Sequence, residues 1–231
     1  VDHLNYLDMA EASGFALRDM LDNLISSISK GFMRIKEVLN PDHPVAAVLN
    51  TAKYAFEGIN KGYLYLRLLQ MSLNTIPERV NTEFYLDRVM SSFTDVGMFS
   101  PDISISGGLY DISGNIDLLQ QVTLQLCSIV CAETAPAFSV SVIKRKNLKS
   151  RENLSSGVEQ YIKLNIRKTD GSPLKNIPEE FCDLTTPVDC SEGIPPALEI
   201  SLLCLILRLA DAALVRDEDT CSLCMLFPCI D

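Results

Sequence analysis

The sequence predicts an α+β chain: an N-terminal antiparallel helical hairpin, completed to a four-helix bundle in a dimer, followed by a two-layer α/β sandwich. Three observations carry this expectation. Apolar residues recur at steps of three and four through the first 70 positions. A doubly prolyl break divides that run in two. Beyond it, apolar helical stretches alternate with short segments whose apolar residues recur at every second position.

In the first helix, Leu17, Leu21, Leu24, Ile28, Phe32, Ile35 and Leu39 fall on one stripe. Asn40-Pro-Asp-His-Pro44 ends it, because each proline disfavours helical geometry in the preceding residue and lacks a backbone donor. The second helix begins near Val45 and places Val45, Leu49, Ala52, Phe56, Ile59, Tyr63 and Leu66 on its own stripe, which fades at Gln70. A hairpin with one apolar seam per helix leaves flanks uncovered, and no second long pair follows in the chain. A homodimer is therefore expected. The hairpin domain is read as residues 1–75 and the sandwich as residues 82–231.

In the second half, Thr82 to about Met98 reads as a helix with Phe84, Val89, Met90 and Phe93 inward. Asp102 to Ser106 alternates like a strand and stops at Gly107-Gly108. Ile116 to Ala132 is a strongly apolar helix with Asn115 as its cap. Phe138–Ile143 and Gln160–Arg167 are alternating strands, separated by a charged loop that opens with Lys144-Arg-Lys146. Thr169-Asp-Gly-Ser-Pro173 is a turn. Ala197 to about Val215 reads as a last helix, and Cys221 to Phe227 as a last strand. The order suits a mixed sheet with helices on one face.

The bulk properties narrow the function. With 20 basic against 30 acidic residues the net charge is −10, which opposes a nucleic-acid or anionic-membrane surface. No apolar run reaches the ~20 residues needed to span a bilayer. Nothing at the start resembles a signal peptide, and Cys127, Cys131 and Cys204 lie within helical apolar patterns, where a small buried hydrophobe is the simpler reading than a disulfide. A cytoplasmic location, with no nucleic-acid or membrane partner, is expected.

One segment carries a resemblance. Leu118-Leu-Gln-Gln-Val-Thr-Leu-Gln-Leu-Cys-Ser-Ile-Val130 resembles the helix of sensor histidine kinases that bears the magnesium-binding asparagine, of pattern LLQQVLLNLLSNA. Here the two asparagine positions fall on Gln125 and Ile129, and Ile129 offers no oxygen to a hard cation. Where those kinases have DxGxG, this chain has Asp170-Gly171 without the second glycine. Where a glycine-rich lid precedes their last helix, Glu199-Ile-Ser-Leu202 stands. Glycines there let backbone close on phosphates, and a glutamate repels them. The chain as a whole is similar to the ChpT-type histidine phosphotransferases, kinase-shaped dimers that bind no nucleotide and pass phosphoryl groups between receiver domains of response regulators. The resemblance implies a degenerate histidine-kinase-like sandwich, no cofactor, and a receiver domain as partner.

That family carries its phospho-accepting histidine in a motif like H-D-L-I/V-S-P-I/V. The best match is Asp22-Asn-Leu-Ile-Ser-Ser-Ile28, roughly 18 residues or ~27 Å of helix before the turn, with Asp22 at the histidine position and Ser27 at the proline. No catalytic residue is therefore assigned. Arg18, Asp22, Ser26 and Ser29 form the candidate docking flank for a receiver, against the simpler reading of Arg18–Asp22 as a surface pair at i, i+4. The two histidines, His3 and His43, are expected to be ordinary surface residues. His3 lies about 37 residues, or ~55 Å of helix, before the turn, and His43 sits at the hairpin tip. Cys221-Ser-Leu-Cys224 has CxxC spacing but lacks two matching ligands, and residues three apart on a strand face opposite sides, so no metal is expected. Tyr54, Tyr63 and Tyr65 are either docking aromatics or part of the bundle seam. Three functions remain: a receiver-binding protein that does not transfer phosphate, an active phosphotransferase using another histidine, or a structural dimerisation module.

Overall fold

The computed structural model describes residues 26, 28–35, 44–74, 76–95, 101–131, 134–147, 158–174, 177, 194–217 and 222–230. Arg18, Asp22, His3, His43 and Cys221 lie outside them, as do Leu17, Leu21, Leu24 and Leu39. The contacts divide the chain into two compact units, Val1–Gly62 and Tyr63–Asp231.

In the first unit, residues 28–35 are helical (α1) and the long helix α2 (Pro44–Asn74) begins. Phe32 and Phe56, both on the expected stripes, bring their ring centroids to 5.8 Å. Ile28, Ile35 and Ile59 of the same stripes are exposed in the single chain, Ile59 at 66%.

The second unit takes in the last three turns of α2, which bury Tyr65, Leu68 and Ser72. It continues through β1 (Glu78–Val80), α3 (Thr82–Asp95), β2 (Asp102–Ser106), β3 (Asp111–Gly114), α4 (Ile116–Val130), β4 (Pro136–Lys144), β5 (Gln160–Lys168), α5 (Pro196–Leu209), β6 (Ala213–Asp217) and β7 (Ser222–Ile230). Among the described residues these seven strands form one sheet in the order β1-β3-β7-β5-β4-β2, with β6 also paired to β7. β2 runs parallel to β4, and every other pairing is antiparallel.

The core follows from period-two strands meeting period-3.6 helices. Phe138 and Val140 of β4, Ile162, Leu164 and Ile166 of β5, and Leu223, Met225 and Phe227 of β7 all join one buried cluster. Helix α4 answers with Leu118, Leu119, Val122, Leu126, Ile129 and Val130, and α5 with Ile200, Leu203, Ile206 and Leu207. Asn115 caps α4 as expected: its backbone is extended and its side chain accepts the Leu118 N–H at 2.8 Å. A second, smaller cluster on the other sheet face gathers Tyr161, Ala213 and Leu226. β7 is thus buried on both faces and lies at the sheet's centre.

Two expectations are corrected. Phe84, read as inward, is 58% exposed, because α3 turns Tyr85, Leu86 and Val89 to the core instead. The last helix stops at Leu209 rather than near Val215. Asp211 adopts a positive φ of 58°, and the chain turns back as β6 against β7. Strands β1 and β3 were not anticipated at all.

Candidate functional site

The sequence directs attention to three places: the first turn of α5, the C-terminal half of α4 and the turn after β5. All three belong to the second unit.

Helix α5 opens with Pro195 as an N-cap lacking a side-chain cap bond and with Pro196 in its first turn. Helix N-termini attract anions through unpaired N–H groups and the macrodipole. In this chain the nearest anion is its own. Glu199 stands in that first turn, is 3% exposed, and accepts a 2.5 Å hydrogen bond from the Tyr65 hydroxyl of α2. Burial, then the bond to Glu199 and its charge, hold the Tyr65 phenol far above its ordinary ionisation range. The sequence could have signalled this contact. An acid at a core position of an apolar helix demands a buried donor, and Tyr65, buried against Glu199, is that donor rather than a docking aromatic. Tyr54 is exposed and Tyr63 half-buried.

On α4, Ile129 points into the core at 8% exposure and brings only hydrocarbon to the position where the resemblance implies a magnesium ligand. Gln125 is half-buried. Further up the helix, the Thr123 hydroxyl lies 2.6 Å from the Tyr85 hydroxyl within the core. In the turn after β5, Asp170 is exposed and its Oδ1 accepts from both the backbone N–H (2.9 Å) and the hydroxyl (2.7 Å) of Ser172. These bonds lower the Asp170 carboxyl below its usual range. Gly171 supplies the left-handed residue of the turn, φ 70°. That oxygen is spent on local backbone geometry.

The thiols follow the structural reading. Cys127, Cys131 and Cys204 are buried, and Cys224 lies 2.5 Å from the Asn165 side-chain oxygen. Burial raises the Cys127 thiol, whereas the hydrogen bond from Cys127, opposed by burial and aided by Lys168, lowers that of Cys131. Among the described residues no group of three or more His, Cys, Asp or Glu is placed to hold a metal ion. Of the candidate docking flank, Ser26 is exposed and Ser29 half-buried on helical backbone.

The buried tyrosines set a pH dependence. An unfolded tyrosine ionises near 10.0, whereas burial keeps folded Tyr85 protonated well beyond that. Its contribution to stability is intact below pH 10 and falls as pH rises further, by about 1.4 kcal/mol per pH unit. Urea unfolding measured from pH 9 to 11.5 should show this decline, and Tyr85→Phe should lessen it without abolishing it, because burial also keeps Tyr65 protonated.

Comparison with known proteins adds three solved structures. No protein-family model and no curated protein matches the chain. Among solved structures, the chain is similar to the histidine kinase AdeS of Acinetobacter baumannii at 14% identity and TM-score 0.49, over 90% of this chain and 95% of that one. It is also similar to the catalytic domain of histidine kinase ThkA (11%, TM-score 0.42) and to the mycobacterial sensor histidine kinase MprB (11%, TM-score 0.39). Each of those two likenesses spans 67% of this chain and 97% of the other. Likenesses this distant transfer no residue role. Among the described residues, no helix is long and apolar enough to cross a membrane.

Proposed function

We propose that this protein is a dimeric, nucleotide-free phosphotransferase-like partner of response-regulator receiver domains, acting in the cytoplasm within a two-component phosphorelay. Residues 1–75 dimerise as paired helical hairpins, and residues 82–231 form a degenerate kinase-like sandwich. The observation that carries the reading is the buried Glu199–Tyr65 bond. Where the resemblance would seat phosphates, the chain has installed a carboxylate with its own donor, and a polyphosphate entering there meets like charge in a poorly screened site. The hydrocarbon at Ile129 supports the same conclusion for magnesium. The exposed apolar stripe through Ile28, Ile35 and Ile59 supports dimerisation, since such a stripe on a lone helical pair lacks cover.

The flank Arg18, Asp22, Ser26 and Ser29 is the proposed docking surface. Asp22 at the histidine position leaves no imidazole to carry a phosphoryl group, so binding sequesters a receiver or shields its phosphoaspartate without transfer. The test is direct. Incubated with a radiolabelled, phosphorylated receiver, the protein should form a micromolar complex and remain unlabelled, and titration with Mg-ATP should give no heat of binding. Acid-labile, base-stable label on His3 or His43 would establish an active phosphotransferase instead. Absence of any receiver complex would leave only a dimerisation module.

A further inference from the structure

We propose that strand β2 is a self-complementary sheet edge through which two copies of this chain join their sheets. β2 ends the strand order, and among the described residues no strand pairs with its outer side. All five of its residues are exposed. The opposite end of the sheet is guarded as edges commonly are: β1 is three residues long and carries Glu78 and Arg79. After Asp102, β2 reads Ile-Ser-Ile-Ser, without charge, proline or bulge.

The two isoleucines on that edge extend the core-facing side of the sheet. Ile103 lies in register with Phe138 and Ile105 with Val140, and both of those neighbours are buried in the main cluster. Residues directly opposite on adjacent strands point to the same face. The core-facing side of the sheet therefore runs on into Ile103, 37% exposed, and Ile105, 49% exposed.

The occupant is read from the pattern of the strand itself. Ile103-Ser104-Ile105 is symmetric about Ser104. Antiparallel pairing centred there sets Ile103 against the partner's Ile105 and the reverse, placing four isoleucines on one face of a continuous sheet. Asp102 then faces the partner's Ser106, so no like charges meet. In-register parallel pairing would put two Asp102 carboxylates side by side, and a one-residue slip would set isoleucine against serine. Two five-residue strands bury less than the roughly 1,000 Å² of a stable dimer. The contact is therefore weak and concentration-dependent.

Cross-linking of the purified full chain reads the register. With a short thiol-to-thiol reagent and peptide mapping, Ser104→Cys should cross-link to itself. Asp102→Cys alone should stay single, since its two copies would sit about 13 Å apart at ~3.3 Å per residue. A mixture of Asp102→Cys with Ser106→Cys should cross-link. Adding Ile105→Lys at that exposed position should reduce the Ser104→Cys product about tenfold. No Ser104→Cys product at concentrations where the chain self-associates, products indifferent to position, or a yield untouched by Ile105→Lys would each overturn the proposal. Because β2 contains none of the residues of the proposed docking flank, loss of receiver binding alone would leave this result unchanged.

Discussion

Phe227→Ala is expected to lower the unfolding free energy by about 3–5 kcal/mol. Phe227 is fully buried in the middle of β7, in register with Ile162 of β5, and meets Tyr85 edge-to-face with centroids 5.7 Å apart. Truncation removes a ring from the contact between sheet and α3 and leaves a cavity that β7, fixed by neighbours on both sides, cannot collapse to fill. Urea unfolding followed by far-ultraviolet circular dichroism measures the loss. Phe84→Ala is the control: that ring is exposed, so its removal should stay within about 0.5 kcal/mol. Equal effects at the two positions would contradict the packing described here.

The second large effect is expected at the pair that closes α5. Tyr65→Phe removes the hydroxyl that donates to Glu199 and should cost about 1–3 kcal/mol, because a buried carboxylate loses a donor while keeping its desolvation. Glu199→Met alone strands the tyrosine hydroxyl and should cost a similar amount. Combining Tyr65→Phe with Glu199→Met replaces both partners by apolar groups and should recover much of the loss. A coupling of at least about 1 kcal/mol in the double-mutant cycle is expected. Strict additivity would mean that the two side chains do not depend on one another.

Much of the sandwich was legible because its elements obey one period each. The step-two apolar residues of β4 and β5 and the capped stripe of α4 appear where their pattern puts them, with ends shifted by a residue or two. What escaped has a physical reason in each case. β3 holds only four residues, Asp-Ile-Ser-Gly, and its one large apolar residue, Ile112, gives no period to detect. β6 escaped because Ala213 and Leu214 continue the apolar composition of α5, and the break lies in the backbone of Asp211, where aspartate takes the left-handed geometry that glycine would have announced. The Tyr65–Glu199 bond spans 134 positions and has no local pattern, only the oddity of an acid among apolar neighbours. Arg18 and Asp22 of the proposed docking flank lie outside the described residues.

The place of β7 has a consequence for how the molecule is made. The strand that pairs with β3, β5 and β6 comes later in sequence than all of them. While the chain is still emerging from the ribosome, β3 and β5 lack the neighbour that joins them, and their apolar faces await residues 222–230. Closure of the sheet is therefore expected after translation has passed that strand, leaving an interval in which a chaperone would find these faces uncovered.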